Sequence, residues 1–223
     1  MPTTDIAPAW LRQVATDLAW QLPTDVRDVW TARLHDLLDE VPYTGGLFAV
    51  HVWQAGTVLP LLAEAARDGE AAVFAAPGDL HRAAALGRTP DQDTWRAALT
   101  PMLLRLYDAA YDRAGAYTEA HTGARDYALA NGFSATEADE YGHEYAQLSS
   151  DANARACAEA HALALGPALA RAYATGGCEA YAETFPAAQL RAVVRATTTE
   201  RGDTVPATRL AEGLISALVA SRP

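Results

Sequence analysis

Apolar residues recur at helical spacing along most of this chain. Trp10, Val14 and Leu18 are four residues apart, Pro23 closes that stretch, and a second apolar stripe extends over residues 26–41. Side chains three or four positions apart share one face of a helix, so each stripe is the buried face of one helix. The pattern predicts an all-α fold, a multi-helix and bundle-like arrangement around one core.

Turn-forming residues divide the chain into helical segments. The strongest break is the sequence GRTPD at positions 87–91, because glycine, proline and aspartate all favour turns. A chain of 223 residues suits one domain. We therefore expect a single all-helical domain over residues 1–223, with an internal junction near residues 87–92.

A long helix is predicted to begin at Ser134. Ser134 and Glu137 have the spacing of a capping box, and the pattern continues to Leu165 before a Gly-Pro pair interrupts it, with Ser149-Ser150-Asp151 as an alternative break. Between residues 152 and 174 the chain is small or apolar on nearly every side, which is typical of a central helix. We expect this alanine-rich segment to be buried on most of its faces.

The segment LFAVHVW at positions 47–53 is the only run that resembles a strand. A lone strand leaves its backbone unpaired, so we expect a buried helix or an extended core segment. The run lies within Val41–Ala63, which has no charged residue but contains prolines, glycines and His51. Those residues make a poor membrane span. We expect this stretch in the core of a soluble, cytoplasmic protein without a membrane partner.

Composition excludes several functions. Alanine accounts for 51 of the 223 residues, lysine is absent, and all 17 basic residues are arginine. Without lysine the chain has no Schiff-base lysine for pyridoxal phosphate and no phosphate-binding P-loop lysine. The formal net charge of −11 repels phosphate backbones. We therefore expect no nucleic-acid partner and no cofactor.

Arg155, Glu159 and His161 are the candidate catalytic residues, on the segment expected to be buried. Arg155 and Glu159 are four residues apart and can pair, while His161 would act as an acid, a base or a ligand. Removing one partner of a truly buried pair typically costs ~3–5 kcal/mol, because the other charge is stranded. Glu159→Ala is therefore expected to be strongly destabilising, and Glu140→Ala nearly neutral.

Glu140 and His143 form an E-x-x-H pair, the arrangement used by di-iron helical bundles. Such bundles need a second pair on a facing helix, and this sequence has none. The pair is therefore interpreted as part of a solvated acidic face, and no metal is expected there.

The remaining histidines give weaker signals. His51 lies in an apolar run and is expected to be a core histidine with a hydrogen-bond partner. His81 is placed in the first turn of a helix, and His121 near a helix end.

Two classes of function stay open. The first is an interaction, assembly or regulatory module that presents an acidic helical surface to a protein partner or to a second copy. The alternative is an enzyme or small-molecule binder with a pocket between helices beside Arg155, Glu159 and His161. Tyr141 and Tyr145, four residues apart, suit an interface or such a pocket, although packing in the core with the hydroxyl group in water is the commoner role of such tyrosines.

Overall fold

The computed structural model describes residues 7–40, 43–67, 69–200 and 202–222. Every regular element in those ranges is helical, so the expected all-α fold is confirmed. None of the described helices is both long enough and apolar enough to cross a bilayer. In chain order the α-helices are α1 (Ala9–Gln21), α2 (Thr24–Glu40), α3 (Phe48–Trp53), α4 (Leu59–Ala65), α5 (Ala75–Ala85), α6 (Gln92–Ala110), α7 (Arg113–Ala130), α8 (Ala135–Thr175), α9 (Cys178–Ala182), α10 (Pro186–Thr197) and α11 (Val205–Ala220).

The last helix, α11, packs against α1, α2, α3 and α10. We call α1–α5 and α9–α11 together the helical body. Two buried tryptophans anchor neighbouring helices to α11. Trp30 of α2 donates its indole N–H to the carbonyl of Ala211 at 2.9 Å, and Trp53 of α3 donates to the carbonyl of Leu210 at 3.0 Å. A buried indole needs such a partner, so these bonds orient α2 and α3 on α11.

The uncharged stretch folds into the core. Residues 47–53 are the N-cap Leu47 and the whole of α3, mostly buried, so of the two expected structures the helix is the one formed. The backbone continues through a π-helical turn at Gln54–Val58 into α4. Gly213 of α11 lies so close to this turn that a Cβ would meet the side chain of Thr57 at 2.2 Å. Residues 41 and 42, at the start of the stretch, lie outside the described residues.

The break at residues 87–91 is a tight turn between α5 and α6. Gly87 takes a positive φ of 76°, which favours glycine, and the Asp91 side chain accepts the backbone N–H of Thr94 at 2.8 Å as an N-cap. Buried residues before and after the turn belong to the same hydrophobic core. The expected junction therefore joins two helices that share one core.

Helix α8 is 41 residues long, about 60 Å at 1.5 Å per residue, and two shorter helices run antiparallel along it. α6 covers its C-terminal half and α7 its N-terminal half. Ion pairs and polar contacts fix the register of the second pairing: Arg113 with Asp151, Tyr117 with His143, and His121 with Asp139. We call α7, the connection at residues 131–134 and residues 135–152 of α8 the hairpin.

Small residues let these helices approach closely. Every fourth residue of α8 is buried and small, and we call this set the seam: Ala138, Gly142, Ala146, Ser150, Ala154, Ala158, Ala162, Gly166 and Ala170. A repeat of four exceeds the 3.6 residues of a helical turn, so the seam drifts around α8 by about 40° per step. The partner helices must therefore wrap around α8 to follow it.

The expectation that residues 152–174 are buried on most faces is wrong. Ala152, Ala156, Ala160 and Ala164 are exposed, and Leu163 keeps 80% of its surface. Alanine has a small side chain, so its exposure costs little, and its abundance here reflects its high helix propensity. Only the seam of this segment, and the last turns near Tyr173, are buried.

The expected end of this helix at Leu165 is also wrong, although its start is confirmed. The Ser134 and Glu137 capping box is formed with both of its hydrogen bonds. At the other end the helix continues through Pro167 to Thr175. Proline removes the hydrogen bond to the carbonyl four residues earlier, that of Leu163, and both residues are exposed, so water can serve that carbonyl.

The seam predicts that the same substitution at two alanines of α8 has very different effects on the free energy of unfolding. Ala146→Leu inserts a large side chain where none fits and should lower the free energy of unfolding by about 1–3 kcal/mol. Ala152→Leu makes the same change on the exposed face and should stay within about 0.5 kcal/mol of wild type. Urea melts of the two variants measure this difference. Equal stabilities would show that the helices are not closely packed along the seam.

Candidate functional site

The three candidate catalytic residues lie on α8 but do not form a buried group. Arg155 and Glu159 are both exposed, and the ion pairs of the described residues do not include one between them. The expected buried pair is therefore wrong, because the face of α8 that carries these two charges is exposed. A catalytic role for Arg155, Glu159 and His161 stays a prediction, without the burial that motivated it.

His161 is a half-buried residue packed on α6. Its ring stacks on Tyr107 with centroids 4.0 Å apart, and its Nδ1 lies 2.8 Å from the carbonyl oxygen of Cys157. Because a carbonyl only accepts, Nδ1 carries the proton and donates it. Burial, with a smaller effect of Cys157, raises the pKa of Tyr107 to about 12. These contacts give His161 a packing role between α8 and α6.

The hairpin carries a row of exposed apolar side chains. The aromatic row consists of Phe133, Tyr141, Tyr145 and Leu148, which keep 49%, 40%, 50% and 74% of their surface. Ring centroids are 6.4 Å apart for Phe133 and Tyr141, and 6.3 Å for Tyr141 and Tyr145. At 100° per residue, the three members on α8 lie within about 60° of one another. They therefore form one continuous strip.

Acidic residues lie along one edge of this strip. Glu137, Glu140, Glu144 and Asp151 occupy the neighbouring arc of α8, about 60° wide. Residues 133–152 contain five acidic residues and no arginine. A shallow depression of about 600 Å³ lies at the end of the row and is lined by Glu144, Gln147, Leu148, Asp151, Ala152 and Arg155. Neither Glu159 nor His161 borders it.

A second polar group lies on the other side of α8, where it faces α7. The Nε2 atom of His121 is 3.4 Å from Asp139 Oδ1, and the Nε2 atom of His143 is 3.6 Å from Asp139 Oδ2. Ligand atoms of all three residues lie within 4.8 Å of one another. His143 is thus grouped with Asp139, four residues before it, and with a histidine from α7. His121 lies in the middle of α7, so its expected place near a helix end is wrong.

A pair of histidines is buried in the core. The Nδ1 atoms of His51 and His81 are 2.9 Å apart, so one imidazole donates and the other accepts. Burial lowers the pKa of His51 from 6.5 to about 4, and burial followed by the charge of His51 lowers the pKa of His81 well below its ordinary value. His51 therefore has the hydrogen-bond partner expected for it. His81 is the seventh residue of α5, not part of its first turn.

Aromatic rings enclose this pair. Trp95 and Tyr173 lie over both imidazoles, with centroids 4.8–5.9 Å away. Burial, above all, raises the pKa of Tyr173 well above its ordinary value, and the neighbouring Tyr181 adds to the shift. A cavity of about 30 Å³ extends from His81, Tyr173 and Tyr181 between the apolar side chains of α6 and α10. That volume suits a water molecule rather than an organic ligand.

Sequence reasoning missed both histidine groups. His51 and His81 belong to helices whose packing no local pattern specifies. The contact of His121 with Asp139 and His143 had a signal, because residues equally distant from a tight turn meet in an antiparallel pair, and Asn131-Gly132 marks that turn.

Comparison of the chain with protein-family models, with curated proteins and with solved structures gives no significant match.

The buried histidine pair predicts a pH dependence of stability. The unfolded chain takes up protons at both histidines below about pH 6.5. In the folded chain the pKa of His51 is about 4 and that of His81 lies well below its ordinary value, so the free energy of unfolding should fall as the pH falls from about 6.5 to 4. Each histidine contributes up to about 1.4 kcal/mol per pH unit. His81→Gln should reduce the slope, and His35→Gln, on an exposed histidine, should not. Denaturant melts between pH 4 and 7 test this, and equal slopes in all three proteins would contradict it.

The exposure of Glu159 predicts a small effect of its removal. Glu159→Ala and Glu140→Ala should both change the free energy of unfolding by no more than about 0.5 kcal/mol. Guanidinium melts measure it. A loss of several kcal/mol for Glu159→Ala alone would contradict this prediction and would indicate a buried ion pair between Glu159 and Arg155.

Proposed function

We propose that the hairpin is an interaction module that binds a cationic amphipathic helix of a partner protein. The aromatic row is the observation that supports this proposal most strongly. Tyrosine is enriched at interfaces because its ring is apolar and its hydroxyl tolerates water, and the row provides two tyrosines beside Phe133 and Leu148. An amphipathic helix presents apolar residues at three- and four-residue spacing, which match a strip of this kind.

The charges beside the row favour a basic partner. Arginine or lysine residues flanking the apolar face of the partner helix would lie opposite Glu137, Glu140 and Glu144. The depression at Leu148 is lined by Glu144 and Asp151 as well as by Arg155, and Asp151 already pairs with Arg113, so Glu144 is the carboxylate available there to a long cationic side chain. Opposite charges across an interface speed association and fix its register.

The same charges disfavour two other occupants. A second copy docking through the same face would place acidic residues against acidic residues, which is repulsive. A nucleic acid would place phosphates there, which is repulsive as well. A protein partner, the first of the two partners expected from the sequence, is therefore the one proposed. Cytoplasmic location stays a prediction.

A groove between α1 and α2 is the other large concave surface. It has a volume of about 460 Å³ and is lined by Leu11, Trp20, Trp30 and Leu34 among others. Arg12, His35 and Asp39 give its border charges of both signs. Because charges of both signs border the groove, it does not favour one kind of partner, and we propose no function for it.

The alternative of an enzyme or small-molecule binder beside Arg155, Glu159 and His161 has less support. Two of the three residues are exposed, and the third packs on Tyr107. We retain it only as a prediction.

Binding of a synthetic helix tests the proposed function. The probe is an amphipathic peptide of about 18 residues with leucines on one face and arginines on the other, and the measurement is fluorescence anisotropy at two salt concentrations. Wild-type protein should bind it, more weakly at high salt, because exposed charges are screened. Leu148→Ser and Tyr145→Ala should each weaken binding at least tenfold, as expected for central interface residues.

Leu163→Ser is the matched control, since Leu163 is an equally exposed leucine on the same helix without the acidic border. It should bind like wild type. Glu140→Gln combined with Glu144→Gln should weaken binding and flatten its salt dependence. Failure of wild type to bind the peptide, or equal losses for Leu148→Ser and Leu163→Ser, would refute the proposal. Self-association that Leu148→Ser abolishes would identify a second copy as the occupant instead.

A further inference from the structure

We infer that His121, Asp139 and His143 form a binding site for a divalent transition metal such as Zn²⁺, shared between α7 and α8. The inference depends on a different face of the hairpin from the aromatic row, and neither requires the other. It places a metal on His143, where the E-x-x-H pattern led us to expect none, and it replaces Glu140 with Asp139 as the carboxylate partner.

The spacing of the ligand atoms fits a metal better than it fits hydrogen bonds. Atoms 2.0–2.1 Å from a tetrahedral zinc ion are about 3.4 Å apart. His121 Nε2 and Asp139 Oδ1 are 3.4 Å apart, and His143 Nε2 and Asp139 Oδ2 are 3.6 Å apart. Both separations exceed the usual length of a hydrogen bond between these groups. A cation shared by the three side chains, with one ligand atom from each, would replace these long contacts with coordination bonds.

The surroundings orient the two imidazoles for this role. The hydroxyl of Tyr117 contacts Nδ1 of His143, which leaves Nε2 free for a metal, as partners of this kind do for metal-binding histidines. The Nε2 atom of His121 is shielded from solvent and has no hydrogen-bond partner among the described residues. A buried nitrogen without a partner is costly, and coordination would remove that cost.

Gly142 of the seam holds His121 in place. A Cβ at position 142 would lie 3.1 Å from the Cδ2 atom and from the backbone oxygen of His121, so any larger residue would displace His121 by a few tenths of an ångström. The residue that allows close packing of the hairpin therefore also positions the metal ligand.

Ligand type and exposure define the metal and its coordination. Two imidazoles and one carboxylate suit zinc, nickel and copper rather than magnesium or calcium, which prefer oxygen ligands. Side chains of Asp139 and His143 keep 52% and 57% of their surface, against 20% for His121, so a fourth position faces water. The guanidinium of Arg125, 3.7 Å from Asp139 Oδ1, competes with the metal for this carboxylate.

Metal titration of the full chain, purified without a polyhistidine tag and stripped with a chelator, tests the inference. Isothermal calorimetry with Zn²⁺ should give one ion per chain at micromolar or tighter affinity, and Co²⁺ should produce visible absorption bands. His121→Ala, His143→Gln and Asp139→Asn should each weaken Zn²⁺ at least tenfold. Arg125→Gln should strengthen it, because the competing cation is removed.

Glu140→Gln is the matched control, since Glu140 is the adjacent acidic residue on another face of α8. It should bind Zn²⁺ like wild type, and circular dichroism should give the same helix content for every variant. Zn²⁺ should also raise the midpoint of thermal unfolding of wild type and of Glu140→Gln, but not of His143→Gln. The absence of stoichiometric binding, or an equal loss for Glu140→Gln and Asp139→Asn, would overturn the site.

Discussion

Close contact along the seam of α8 is the constraint on which the rest of the hairpin depends. Nine small residues at four-residue steps let α6 and α7 pack closely against α8, which is longer than both of them. Because the side chains at the contact are so small, little apolar area is buried per residue, and the two helices must come close to gain dispersion energy. A single large side chain in the seam would separate them.

This kind of packing leaves the other faces of the hairpin free for chemistry. One side bears the aromatic row and its acidic border, and the other brings His121 of α7 to Asp139 and His143 of α8. Both groups are formed by positions between the seam residues, so the seam fixes their geometry without taking part in them. In the helical body, by contrast, the polar groups of His51 and His81 are enclosed by Trp95 and Tyr173 and serve the stability of the core.

The sequence predicted local structure better than it predicted packing. Capping by Ser134 and the turn at Gly87 follow from backbone chemistry that neighbouring residues determine. The pattern of residues 47–53 left a helix and an extended segment open, and the structure has the helix. Burial of residues 152–174 could not be judged in the same way, since an exposed alanine and a buried alanine look alike in a hydropathy pattern. Contacts such as those of His121 with Asp139 and of His51 with His81 depend on which helices meet. Of these two, the sequence could have predicted the contact of His121 with Asp139, because the two residues lie at similar distances from the turn that joins α7 and α8.

The claim that the hairpin is the interaction surface is tested most directly by hydrogen–deuterium exchange with the cationic amphipathic peptide bound. Amide exchange reports protection by position along the chain, without any substitution. The account predicts that protection is confined to residues 133–152 and the adjoining end of α7. Protection that falls instead on α1 and α2, around the groove beside Trp20 and Trp30, would contradict it.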